Sequence, residues 1–291
     1  MFPLTPMAAC SASGGPAAEM TARIDCVRLN HFNVVLRNFD ASIEHFRQCY
    51  GAEFLVDIPQ REWHAGLVTF GDVIFEIFCP HEFLLNSRYG PHFIGLEYQA
   101  DMKVVRAALE ASGIGIVRDI GPALHTDPSA CHGIAFEFYD GSFHERTWDL
   151  LGRKMLPPDY WRNTHPLGLT GLKRCSIAVR SLDQAGEFFE RLFKVTKLYD
   201  SHRESLTARA RGYQLADSVI ELVAPTAPGA LQTYIDRSGE GIRSTVFAVR
   251  DIEQARRYFL GRGLVPVAGD EERAFGIPVN RNLGIAFEFA E

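Results

Sequence analysis

The strongest constraint on this chain is that it contains one pattern twice. Residues 29–50 read LNHFNVVLRNFDASIEHFRQCY and residues 172–193 read LKRCSIAVRSLDQAGEFFERLF. Each gives a short β-branched run, an acidic residue where a helix should begin (Asp40 and Asp183), and an amphipathic helix closing near an aromatic ring. Further along, GDVIFEIFCP (71–80) pairs with ADSVIELVAP (216–225), and IAFEF occurs at both 134–138 and 285–289. The offset between copies grows from 143 through 145 to 151 residues, the mark of small loop insertions in the second copy. A pattern repeated in order means that one structural unit is used twice.

Each copy divides again. In the first, alternation and β-branching predict strands near 31–37, 53–57, 65–70 and 73–79, with a helix near 40–50. A second set follows: a strand near 92–98, a helix near 101–112 ended by Gly113, and strands near 114–118, 133–139 and 143–149. Each copy therefore reads as βαβββ twice. One such unit cannot cover its own sheet face, which favours pairing. The expected fold is α+β, with tandem paired βαβββ modules forming two half-barrel cups. At 291 residues the chain suits two domains. The expected boundaries are a disordered leader over 1–22, an N-terminal cup over 23–151, a Pro- and Gly-rich linker over 152–171, and a C-terminal cup over 172–291.

Composition limits the partners. Apolar residues make up 46% of the chain, enough for real cores, and the net charge of −6 without a basic run argues against nucleic acid. No apolar stretch approaches a membrane span. The six cysteines have no CxxC spacing, so reduced thiols in a cytoplasmic protein are expected. The leader lacks the basic and apolar regions of a signal peptide.

The opening HFNVVLRNFDASIEHF, the FEI and IEL strands followed by Pro, and the DG...E pattern at 140–145 resemble the vicinal oxygen chelate superfamily. This family includes glyoxalases, epimerases, extradiol dioxygenases and antibiotic-sequestering proteins. The resemblance spans about 29–291. It implies metal ligands on the first, fifth and last strands of a cup, at His31, His92 and Glu145, spaced by 61 and 53 residues. Two imidazoles and a carboxylate can hold a divalent transition metal and leave positions open. In the second copy Arg174 stands in place of His31, and an arginine cannot ligate a cation. Ser244 falls near the place of His92. The chain ends at Glu291, which aligns with Asp140, so the last strand and its carboxylate are expected to be missing. One divalent metal, in the first cup, is therefore expected.

Three functions remain open. The leading one is an extradiol-type, ring-cleaving dioxygenase with Fe(II), acting on a small phenolic or catecholic compound. CHGIAFEFYDGSFHE (131–145) resembles that group's signature, which would put Tyr139 beside the metal and His132 just outside its ligands. The alternative is a glyoxalase-type isomerase, epimerase or lyase using Mn, Co, Ni or Zn, with Glu76 as a fourth ligand. That reading requires the Glu76 carboxylate to lie within about 5 Å of His31, given ligation near 2 Å. The third is a non-catalytic small-molecule binding protein. His81, in the loop after the fourth strand, is a candidate mobile acid or base. A homodimer is compatible with all three.

Overall fold

The computed structural model describes residues 22–83, 90–148 and 154–291. The first half contains β1 (Arg28–Val35), α1 (Phe39–Tyr50), β2 (Glu53–Pro59), β3 (Trp63–Phe70) and β4 (Val73–Pro80), then β5 (His92–Gln99), α2 (Met102–Ser112), β6 (Ile116–Asp119), β7 (Ala123–Thr126) and β8 (Ala135–Tyr139). The second half repeats this order with β9 (Leu169–Ala178), α3 (Leu182–Leu192), β10 (Thr196–Arg203), β11 (Ala208–Leu215) and β12 (Ser218–Pro225). It continues with α4 (Ala230–Ser238), β13 (Gly241–Val249), α5 (Ile252–Leu260), β14 (Val267–Ala268), β15 (Ala274–Gly276) and β16 (Phe287–Ala290).

The helix boundaries follow local chemistry. Asn38, two residues before the expected Asp40, caps α1 by accepting the Ala41 amide, and Asp101 caps α2 through the Lys103 and Val104 amides. Gly51 and Gly113 end the two helices in the left-handed region that suits glycine.

Each half is an eight-stranded mixed sheet, ordered β2-β3-β4-β1-β5-β8-β7-β6 and β10-β11-β12-β9-β13-β16-β15-β14. The central pairs β1/β5 and β9/β13 are antiparallel, whereas β1/β4 and β5/β8 run parallel. This is the tandem α+β arrangement expected, with open sheets. Two expectations over the strands fail. The run ALHT forms β7, which the sequence reading passed over, and residues 143–148 form a turn with no strand. The last strand of the first cup is therefore β8, and its counterpart β16 is present in the second. The segment expected as a linker is also packed: Trp161 is buried and β9 begins at Leu169.

Strand alternation separates two environments. On one face of the first sheet Phe32, Phe75, Leu96 and Phe136 are wholly buried. This face packs under the helices and against the second half. Phe70 lies 4.8 Å from Phe247, and Phe75 lies 5.2 Å from Phe287, ring centre to ring centre. The other face is concave and carries the polar groups described next. Among the described residues no helix is long and apolar enough to cross a membrane, and Cys26, Cys49, Cys79, Cys131 and Cys175 are free thiols.

Candidate metal centre

The strand register decides which side chains meet. Across β1 and β5, His31 faces Glu97; across β5 and β8, Glu97 faces Glu137; across β8 and β7, Glu137 faces His125. On the other side of β1, Glu76 of β4 faces Asn33. A row of four ionisable side chains thus crosses the hollow, with a third carboxylate one step below it.

The distances are those of a cluster. Donor atoms of His31, Glu97 and Glu137 all lie within 4.8 Å of one another. His31 Nε2 is 3.4 Å from Glu97 Oε2 and 3.7 Å from Glu76 Oε2. The Asn30 amide donates to Glu97 Oε1 at 2.9 Å, the Asn33 amide donates to Glu137 Oε2 at 3.0 Å, and His125 Nε2 lies 3.0 Å from Glu137 Oε1. These contacts fix both carboxylates in place. The Phe143 ring covers the His31 ring at 4.9 Å.

Three carboxylates around one imidazole leave a buried excess of negative charge, which calls for a cation. The protonation of the cation-free cluster shows the same need. Burial works against a charged His31, but Glu97, then Glu76 and Glu137, more than offset it and hold the imidazole near pKa 9. Burial lifts Glu76 to about 7 and raises Glu97. Burial would raise Glu137 too, yet the His125 hydrogen bond, the His31 charge and the Asn33 amide bring it down to about 2. The donor set therefore fits a divalent ion, and its oxygen-rich character suits Mn(II), Fe(II) or Co(II) better than thiophilic ions.

Of the residues singled out from sequence, His31 and Glu76 are brought together and the rest are not. His92 faces Val35, four residues along β1 from His31 and on the order of 13 Å away. Its Nδ1 meets the Gly90 carbonyl at 2.7 Å. The cause is the register of β1 and β5, which puts Glu97, five residues along β5 from His92, opposite His31. Glu145 is exposed in the turn after β8, because the described residues 143–148 of the strand expected to carry it form no strand. Tyr139 is on β8 two residues beyond Glu137, and its hydroxyl accepts from Arg146. His132 bonds Glu240 of the second half at 2.9 Å, and His81 is exposed beside the Gln60 carbonyl at 3.1 Å. Glu97, Glu137 and His125 were missed. The repeated IAFEF held the signal for Glu137, since its acidic residue recurs as Glu288.

The second cup shows what replaces a metal. By register Arg174 stands where His31 stands, Glu221 where Glu76, Val246 where Glu97, and Glu288 where Glu137. Arg174 meets Glu221 at 3.1 Å and Glu271 at 2.9 Å; Arg203 also pairs with Glu221, and Arg243 with Glu288 and Asp270. The equivalent carboxylate is present, contrary to the sequence reading, and guanidinium groups supply the positive charge. Among the described residues only the first cup gathers three or more metal-type side chains of this kind.

No profile of a known protein family and no curated protein sequence matches the chain. Solved structures do. A 4-hydroxymandelate synthase variant from Streptomyces coelicolor shares 13% identity at a TM-score of 0.69, covering 91% of this chain and 92% of that one. The 2,3-dioxygenase LapB from Pseudomonas sp. KL28 shares 12% at 0.59 over 91% and 92%. The Mn(II)-bound glyoxalase from Novosphingobium aromaticivorans shares 10% at 0.61 over 91% and 82%. At such identities the likeness establishes the fold alone, the tandem two-sheet arrangement that these three structures share with this chain.

Proposed function

We propose that the chain is a divalent-metal-dependent enzyme acting on a small substrate with two neighbouring oxygens, and that it moves a proton as an isomerase, epimerase or lyase does. The observation that carries this reading is Glu76, whose carboxylate reaches to 3.7 Å from His31 and adds a third carboxylate to the cluster. A cation held by His31, Glu97, Glu137 and Glu76 would polarise the substrate oxygens and stabilise negative charge on them. Glu76 is suited to carry the proton. Its side chain is 16% exposed against 3% for Glu97, so it is the more accessible of the two to a substrate. Glu137, held by the Asn33 amide and by His125, is suited to hold charge. Leu67, opposite Glu76, and Phe78, one step along β4 with the Trp63 ring 5.3 Å away, give the hollow an apolar wall that would exclude water and hold an apolar substrate body.

Oxygen-dependent ring cleavage with Fe(II) on a phenolic or catecholic substrate is the second reading. It is supported by the tight trio of His31, Glu97 and Glu137, which alone would leave positions open, and by the two-cup build shared with LapB. The second imidazole there, His125, contacts Glu137 and is not one of the three gathered donors, which weighs against it.

The test loads the protein with Mn(II), then with Fe(II), and follows two signals. Deuterium uptake from D₂O into 2-hydroxycarbonyl compounds or hemithioacetals, without oxygen consumption, is expected. Oxygen consumption on catechols by the iron form alone overturns the proton-transfer reading in favour of ring cleavage.

A further inference from the structure

A second site lies away from the metal centre. A cavity of about 1090 Å³ lies on the seam between the halves, walled by the starts of β5 and β13, the turn before β8, and α4. We propose that this cavity binds an organic anion, a carboxylate or phosphate ester with an apolar body, through Arg37 and Arg237.

The charge balance of the walls points this way. The chain as a whole has more acidic than basic residues, with a net charge of −6. The buried Arg174 meets Glu221, and Arg243, which also lines the cavity, meets Glu288, whereas Arg37 and Arg237 are exposed residues of its wall. In this cavity the balance is reversed. Among the described residues its one carboxylate is Glu240, and that group is already engaged by His132 at 2.9 Å and by the Arg180 amide. Arg37 and Arg237 both line the cavity, and neither has a carboxylate partner among the described residues. The Arg37 guanidinium is held over the Phe83 ring at 4.6 Å, which orders it before any ligand arrives. Arg237 and Arg243 both lie near the Tyr234 hydroxyl, where their charges oppose the upward push of burial on its pKa. Two uncompensated guanidinium groups at a concave site form an anion receptor, since each offers a planar fork matched to carboxylate or phosphate oxygens.

The remaining wall defines the rest of the ligand. Ile94, Leu231, Ile242 and Ile285 supply apolar surface from both halves. Volume and lining match those of small-molecule sites, which are mostly apolar with a few convergent polar groups. A bare inorganic anion would leave most of this space unused.

The probes are 1-naphthyl phosphate, 1-naphthoate and the neutral 1-naphthol, titrated against the full chain by fluorescence with EDTA present to keep the metal centre out of the readout. At least one of the two anions is expected to bind more tightly than 1-naphthol. Arg37→Gln together with Arg237→Gln should weaken that binding at least about tenfold, the scale of losing charge-assisted contacts. Thermal stabilisation by Mn(II) should be unchanged in the same variant, which shows that it folds. Preference for the phosphate or for the carboxylate assigns the anion. Equal binding of the neutral probe, no binding of either anion, or anion binding unchanged in the double variant overturns the proposal.

Discussion

Glu97 offers the sharpest test of the metal centre, because its position opposite His31 replaces that expected for His92. A divalent ion with ligand distances near 2.1 Å places adjacent donors about 3.0 Å apart and opposite donors about 4.2 Å apart. The observed 3.4 Å between His31 and Glu97 already approaches the adjacent value, and the full trio at up to 4.8 Å needs a contraction of well under 1 Å per side chain. Such a preformed site should bind Mn(II) and gain stability by mass action, about 2.7 kcal/mol at one hundred times the dissociation constant. For a protein of this size that is a rise in Tm of about 5–10 °C. Glu97→Gln keeps an acceptor for the Asn30 amide and removes one of three crowded negative charges. The metal-free Tm should therefore hold or rise while the Mn(II) shift is largely lost. Glu137→Gln and His31→Ala should lose the shift as well, and His92→Ala and Glu145→Gln should keep it. Differential scanning fluorimetry with and without Mn(II) reads all five variants. A full Mn(II) shift in Glu97→Gln, or its loss in His92→Ala, refutes the register argument.

Three further outcomes follow from the same geometry. Gly95→Ala would drive a Cβ into the Ala135 carbonyl and push β5 from β8, so it should lower stability by about 1–3 kcal/mol in urea unfolding and abolish the Mn(II) shift. Glu221→Gln leaves Arg174 and Arg203 short of a buried counter-charge and should cost about 3–5 kcal/mol, with the metal stoichiometry by elemental analysis unchanged. His165, packed against Trp161 at 4.8 Å, is pulled down to about pKa 4 by burial and the Arg262 charge. The unfolded chain takes up that proton first, so stability should be unaffected above about pH 6.5 and fall by up to about 3 kcal/mol between there and pH 4, a slope that His165→Asn should flatten in pH-dependent unfolding.

Residues 29–50 and 172–193 made the tandem architecture legible, because a repeat depends only on local pattern. Helix positions were legible for the same reason, down to Gly113 at the end of α2. His31 was found from its place at the head of the first strand, and Glu76 from the FEI strand that follows. His92 lies on the expected strand but in the wrong register, and the last carboxylate is displaced by one strand: β7 is only four residues long, and a count without it carries the carboxylate from Glu137 to Glu145. The same miscount removed a strand from the second cup that is in fact present.

The amino-acid sequence by itself determined two α+β cups, a cation-compatible histidine in the first, and an arginine in the second that bars a metal there. Tertiary structure alone decided which acids stand beside that histidine. Neighbours across a sheet are set by register, and two register shifts along β1 and β5, between Leu29 and His31 and between Asn33 and Val34, change which β5 residue faces which β1 residue, with no trace in the composition of either strand. The cavity on the seam is decided the same way, since Arg37 and Arg237 are 200 residues apart in the chain and line one cavity only when the two halves pack.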